Sequence, residues 1–506
     1  MTAPDVVTSG KGTGAGYKAG AILAFVCMAQ FMVFLDVSIV NLALPSIQDG
    51  LGMSDVSLEY VVTAYATVLG GFLLLGGRLA DRYGRRKVLQ TGLTVFALAS
   101  LVAALSDSGN VLISARAVQG LGSAMIAPSA LSILTNTFPE GPERNKALGL
   151  WGSLSGIASI VGVILGGVLA DGPGWEYIFY INVPIGLLGA LFAAKVVPDS
   201  KADGPRTRFD FFGAATLTAA LLLLIFTLGE ATHRGWGDSR TVVSFVIVGV
   251  LLASFLVIET KVEAPVMPLR VFRLKSVSTA NIAAVSVFGA FSALFFFASI
   301  FMQQVYGFSP MKAGFAYVPL AFCVAAGAGI ASGLIAKVAA RIVLLIGLAA
   351  TIGGLLLLTR APAGGSYAID LLPAFILLGI GCGMCFVTLQ IAAFAGIADS
   401  EAGVAAGLIN TSQEAGGALG LAVIVTIAYN GLAEKLTKAG GDAAKAVSVQ
   451  ESANHTAFLA AACFAAVALF IAAFFFPNAK PQAPAPVAQG DGEEPVVEAP
   501  KPVIAH

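Results

Sequence analysis

Fourteen stretches of roughly 20 mostly apolar residues run through this chain, with short polar connections between them. A helix needs about that length to cross the hydrocarbon core of a bilayer. The stretches cover approximately 19–43, 58–77, 88–106, 110–134, 147–170, 175–195, 211–230, 241–260, 278–302, 312–335, 342–359, 370–395, 403–430 and 456–476. Most are rich in Gly and Ala, which let helices pack closely in lipid. Charged residues make up 11% of the 506 residues, against about 25% in a soluble domain. So much apolar surface cannot be hidden from water, and an all-α integral membrane protein follows. The 29 basic and 29 acidic residues cancel, which argues against a nucleic-acid partner. No metal-ligand or nucleotide motif stands out, and no loop exceeds roughly 30 residues, so neither an enzyme nor a cofactor protein is expected.

An even number of spans puts both termini on one side. The connections on that side carry 21 Lys and Arg and those on the other side 7, while Arg116 lies within a span. The excess of positive charge places both termini in the cytoplasm. Five of the basic residues fall in GGRLADRYGRRKVL (76–89), between the second and third spans. This densely charged stretch therefore reads as a cytoplasmic turn. A weak repeat is also present. LGMS begins at residue 51 and YGFS at 306; GGRLADRYGRRKVL starts a helix-length after the first, and GLIAKVAARIVLL (333–345) after the second. Two halves of six helices with an additional pair between them fit this offset, and such halves are a transporter hallmark. The expected organisation is a cytoplasmic N-tail (1–18), a six-helix half (19–195), a linker with two extra helices (196–276), a second six-helix half (277–476) and a disordered Pro/Ala-rich cytoplasmic tail (477–506).

The five cysteines all lie in apolar runs, and Cys382 and Cys385 read as packing residues rather than a redox pair. The first span is too long for a signal peptide and lacks an A-x-A site.

Four segments resemble the major facilitator superfamily, and within it the fourteen-span drug:proton antiporters. GGRLADRYGRRK (76–87) is similar to the loop motif of that superfamily, with Gly77, Asp81, Arg82, Gly84, Arg85 and Arg86 in place. LDVSIVNLALPSI (35–47) resembles the first-helix motif of the fourteen-span branch, with Asp36, Asn41 and Pro45. RAVQGLGSA (116–124) resembles the fourth-helix motif, and GSLSGIASIVGVILGG (152–167) the fifth-helix antiporter motif, with Gly162, Gly166 and Gly167. In that last segment the chain has Val163 where the family usually has Pro. GWEYIFYINVPIG (174–186) and GVAAGLINTSQEAGGALG (403–420) also resemble the branch. The resemblance extends over nearly everything between residues 20 and 476. It implies the major facilitator fold with fourteen transmembrane helices, and the helix 1 and helix 4 motifs beside a central cavity.

Ionisable groups at membrane depth are expensive and therefore functional candidates. Asp36 lies nine residues before Pro45, roughly 13 Å from the outer boundary at 1.5 Å per residue. Arg116 lies six residues into the fourth span, about 9 Å deep on the same count. At similar depth the two can neutralise each other, either as a proton-coupling pair or as a static ion pair. Glu414 sits near the middle of the thirteenth span beside Asn410, Ser412 and Gln413. It is a candidate for proton coupling or substrate binding, with a packed, protonated carboxyl as the alternative. Gln30 and Asn41 share the polar face of the first span and are substrate-binding candidates, although such residues also simply glue helices together. Phe31, Phe34, Tyr60, Tyr65 and Phe301 are possible lining residues of a greasy cavity. In the loop motif, the resemblance adds a gate to the purely topogenic role of the arginines. Asp81 would meet a helix N-terminus of the opposite half, and Arg85 and Arg86 would pair with acids across the cleft.

These readings converge on proton-driven efflux of amphiphilic drugs or antibiotics through the plasma membrane. The implied partners are a small amphiphilic substrate, protons and membrane lipid around a monomer, with the proton gradient in place of any cofactor and no metal. The alternative is proton-coupled export or import of an endogenous metabolite.

Overall fold

The computed structural model describes residues 18–198, 210–262, 265–430, 437 and 442–478. Among them there are helices and no strands. The first group comprises α1 (Ala19–Leu51), α2 (Asp55–Tyr83), α3 (Arg85–Ala104), α4 (Gly109–Thr137), α5 (Pro142–Asp171), the short α6 (Tyr177–Tyr180) and α7 (Asn182–Val196). A hairpin of α8 (Phe211–Arg234) and α9 (Ser239–Glu259) follows. Then come α10 (Lys275–Ile300), α11 (Pro310–Ala316), α12 (Val318–Ile335), α13 (Ala340–Leu358), α14 (Leu372–Ala393), α15 (Ala402–Tyr429) and α16 (Ala443–Phe474). Thirteen helical stretches among the described residues are long and apolar enough to cross a membrane. Helix α5, at 30 residues, is about 45 Å long, and several of its side chains lie outside the described residues.

The charged stretch expected as a turn is mostly helix. Helix α2 continues through Arg78, Asp81 and Arg82 to Tyr83, and α3 starts at Arg85. The chain reverses on Gly84 alone, at φ 106°, a conformation that side-chain-bearing residues avoid. Long basic side chains can extend from a helix end into water, so positive charge does not require a loop here.

The weak sequence repeat has a structural counterpart at its first element. Gly52 and Gly307 both have positive φ, 60° and 65°. Two residues after each, a serine hydroxyl accepts from a backbone N–H: Ser54 from Ser57 at the start of α2, and Ser309 from Lys312 at the start of α11. The second element is not matched. A Cβ on Gly77 would sit 2.1 Å from the carbonyl oxygen of Gly403, whereas one on Gly333 would meet open space.

Helix α4 packs on α2 and α3, and α5 on α1; α10 packs on α15 and α16, and α14 on α12 and α13. Helices α2 and α15 meet, as do α5 and α12, and α8 lies against both α2 and α15. The end of the bundle carrying the α2–α3 turn is called the basic end below. Helix α9 buries only Thr241, Val248, Phe255 and Glu259. Its Val242, Val243, Val246, Ile247 and Val250 are exposed, as expected of a helix bathed in lipid.

Close helix contact is tested best at α10–α15, where a Cβ on Gly420 would lie 2.1 Å from the Gly289 Cα. Gly420→Val should destabilise the folded protein by about 1–3 kcal/mol, the usual range for overpacking, lowering its melting temperature in detergent. Gly229→Val, with nothing within 4 Å of the new Cβ, should leave that temperature unchanged.

Candidate functional site

Asp36 of α1 and Arg116 of α4 are both fully buried and hydrogen-bonded at 2.5 Å, Nη1 to Oδ2. The other carboxylate oxygen accepts from Asn182 Nδ2 of α7 at 2.9 Å and from Gln119 Nε2 at 3.3 Å. Arg116 also donates through Nε to the Val61 carbonyl of α2 at 3.1 Å and through Nη1 to Gln119 Oε1 at 3.0 Å. The Tyr65 ring lies 4.3 Å from its guanidinium carbon. Gln119 donates again to Ser100 of α3 at 2.7 Å, and the Tyr65 hydroxyl bonds Ser123 at 2.9 Å. One carboxylate and one guanidinium thus tie together α1, α2, α3, α4 and α7. Burying two charges costs several kcal/mol per ion, and this many directed bonds are what makes the burial sustainable.

Beside the network lies a cavity of ≈ 320 Å³, within the size range of small-molecule sites. Arg116 lines it and Asp36 does not. Gln30, Asn41 and Glu414 all line it, together with Phe34, Tyr65, Trp151, Phe386, Asn410 and Gln413. Glu414 is accessible from this space. Among the described residues it has neither an ion pair nor a hydrogen-bond partner. Asn41 is exposed and donates to the Val37 carbonyl of its own helix at 2.8 Å. Of the aromatic candidates, Phe34 and Tyr65 line the cavity. Phe31 packs into the core, Tyr60 donates to Glu230 of α8 at 3.2 Å, and Phe301 is buried against Tyr306, His455 and Phe458.

At the basic end α2 and α15 are held together. Asp81 is 2% exposed. Its Oδ1 accepts from the Gly403 N–H and its Oδ2 from the Val404 N–H, both at 3.0 Å. These are first-turn donors of α15, which has no side-chain cap of its own. Asp81 therefore caps α15 from α2, where orphan N–H groups and the helix dipole favour an anion. Gly77 and Gly403 bring the two backbones together at the same level. The described ion pair of Arg85 is with Asp81, at 3.2 Å, four residues earlier in the chain. Arg86 reaches the Ala194 and Val197 carbonyls at the end of α7, at 3.5 and 3.3 Å. A cation at a helix C-terminus is favoured by the carbonyls there, which accounts for this partner. The Arg82 guanidinium lies over the Tyr83 ring, 5.6 Å from its centre. Across the cleft, Arg270 pairs with Glu401 at 2.7 Å.

In the fifth-helix motif, a Cβ on Gly162 would lie 2.5 Å from the Ser38 Cβ, so α5 touches α1 two residues from Asp36. Gly166 is buried. Val163 and Gly167 belong to α5, but their surroundings lie outside the described residues.

Sequence reasoning missed Gln119 and Asn182 as ligands of the pair. The signal for Gln119 was its spacing, three residues from Arg116 and hence on the same helix face. Asn182 had no comparable local signal, since its contact is 146 residues distant along the chain.

Residues 26–421 match the family model described as the Major Facilitator Superfamily. The puromycin resistance protein of Streptomyces alboniger is 37% identical over 84% of this chain and 85% of its own. A cephamycin export protein of Amycolatopsis lactamdurans is 36% identical, covering 82% of this chain and 86% of its own. The crystal structure of the human organic anion transporter MFSD10 shares the fold, with a TM-score of 0.65 over 90% of this chain and 100% of that one at 14% identity. With its many apolar helices, the chain is a multi-pass membrane protein and belongs to the Major Facilitator Superfamily.

Proposed function

We propose that the chain exports amphiphilic drugs or antibiotics through the plasma membrane in exchange for protons. The observation that carries this is a buried Asp36–Arg116 pair standing directly behind a cavity that holds an unpaired carboxylate, Glu414. The antibiotic resistance and export roles named for the relatives support a cargo of this kind. In this proposal all fourteen helices span the bilayer, as two six-helix halves with α8 and α9 inserted between them. The basic end and both termini face the cytoplasm, the transporter works as a monomer, and no metal or cofactor takes part. The state described is then closed toward the cytoplasm, with its cavity extending toward Asn41 at the other end.

Coupling follows from what a proton does to Asp36. The carboxylate accepts three bonds from two other helices. A protonated carboxyl donates from one oxygen and loses its charge, so the bonds it accepts weaken and the charge-assisted bond to Arg116 is lost in that form. Helix α1, which carries seven of the cavity-lining residues, is then less firmly held to α4 and α7. Protonation thereby biases the balance between the two access states, and the cargo biases it through the other wall of the cavity.

The main test is a susceptibility panel in a host stripped of exporters, paired with proton release from acid-loaded inverted vesicles when drug is added outside. Asp36→Asn should abolish proton-driven efflux while the protein remains in the membrane. Arg116→Lys, which keeps the charge and loses the planar fork, should retain some transport and Arg116→Ala none. Full resistance with Asp36→Asn at normal protein levels would remove Asp36 from coupling.

The Asp81 cap predicts a change in turnover. Asp81→Ala strands two N–H groups of α15, and hydrogen bonds to a charged group contribute about 1.5–3 kcal/mol each. Turnover should fall roughly tenfold or more while the half-saturating drug concentration stays within about twofold, as measured by initial efflux rates. Weakened binding at unchanged turnover would contradict a gate.

Glu414 predicts charge selectivity. Glu414→Gln keeps the size and removes the charge. Export of a cationic dye such as ethidium should drop, with a neutral substrate much less affected. Loss of both would make Glu414 a second proton carrier, because coupling then fails whatever the cargo.

A further inference from the structure

Of the described residues with a buried side-chain atom that lacks a hydrogen-bond partner, two line the cavity, and both are amides. Gln30 on α1 is 4% exposed and Gln413 on α15 is 8% exposed. Both line the cavity. The Oε1 of Gln30 and the Nε2 of Gln413 are buried without a hydrogen-bond partner. Elsewhere, Gln119 uses both ends of its amide, and Asn41, Asn182 and Asn281 each place an N–H₂ on a carbonyl or carboxylate oxygen. Leaving buried amide groups unpaired is costly, and such exceptions call for an explanation.

Their placement supplies one. Each lies eleven residues from the start of its helix at the basic end, about 16 Å along the axis. They therefore stand at similar depth on two walls of one cavity. Together they offer an acceptor and a donor, the complement of a single amide-like group. Glu414 is adjacent to Gln413 in sequence, and Phe34, Trp151 and Phe386 supply aromatic surface.

We propose that Gln30 and Gln413 form a paired-amide subsite for a neutral group that both donates and accepts, such as a carboxamide, on an aromatic cationic cargo. The proposal rests on the export reading above and narrows its substrate class. A cargo with the group satisfies both amides. A cargo without it strands them, which is the situation in which polar sites discriminate strongly. Water fills the role when no cargo is bound.

The test uses two phenanthridinium cations that differ only in a carboxamide against an isosteric alkyl group. Binding to the purified full chain in lipid nanodiscs is read from quenching of tryptophan fluorescence, with Trp151 in the cavity wall as reporter. The wild type should bind the carboxamide compound about ten- to a hundredfold more tightly. Gln30→Leu and Gln413→Leu should each erase most of that preference without weakening the alkyl compound. Gln30→Met and Gln413→Met, closer in shape, serve the same purpose if a leucine variant does not fold. Gln390→Leu is the control. Gln390 is buried with both amide atoms unpaired but is not in the cavity wall, so its loss should leave the preference intact. Equal binding of the two compounds by wild type, or a preference that survives both substitutions or disappears equally with Gln390→Leu, overturns the subsite and leaves the export reading standing. Binding of neither compound by a wild type that still exports drugs overturns the aromatic-cation class and the subsite with it. Absence of all drug export is the separate outcome that removes the export reading itself.

Discussion

A charge inside a bilayer has to be answered from within the protein, and the Asp36–Arg116 pair is where this chain does so. The five helices it joins are held by directed bonds in addition to apolar contact, which discriminates little between one neighbour and another in lipid. Because Asp36 takes donors from α4 and α7 while Arg116 takes an acceptor from α2, the charge state of one carboxyl bears on the arrangement of a whole group of helices. The cavity beside it inherits that sensitivity through α1.

Other polar groups around the cavity are built on different terms. Glu414 has no fixed counter-ion among the described residues, and Gln30 and Gln413 have unpaired groups. The Asp36–Arg116 network is satisfied, while Glu414 and the two amides retain unspent polar capacity. In the proposed function, a binding site and a coupling device share this small volume because they ask opposite things of their polar groups.

Much of this was legible in the sequence, and the exceptions have physical causes. Span lengths and the scarcity of charge fixed the helical class, and depth along a helix was enough to match Asp36 with Arg116. The mate of Asp81, a helix N-terminus, was also readable from its acidity and its family motif. The partners of Arg85 and Arg86 were not, because an arginine reaches far enough to choose among carboxylates and carbonyls that lie close only after folding. The helical continuation through Arg78–Tyr83 was hidden for a related reason: charge density suggested a loop, but a single glycine makes the reversal. Gln119 was readable by spacing and Asn182 was not, since nothing local announces a contact made across the bundle. The unpaired amides were beyond sequence reasoning altogether, because a missing partner is visible only once every neighbour has been located.

The capping of α15 by Asp81 has a consequence for the order of events at the basic end. The first turn of α15 borrows its cap from another helix. In the proposed cycle, opening the cleft would move α2 away and pass those N–H groups from a carboxylate to water. Fraying at the tip of α15 and separation of α2 from α15 would then be one event rather than two. Such an end would behave as a fuse, intact while the cleft is shut, with local helix melting as the visible trace of each opening.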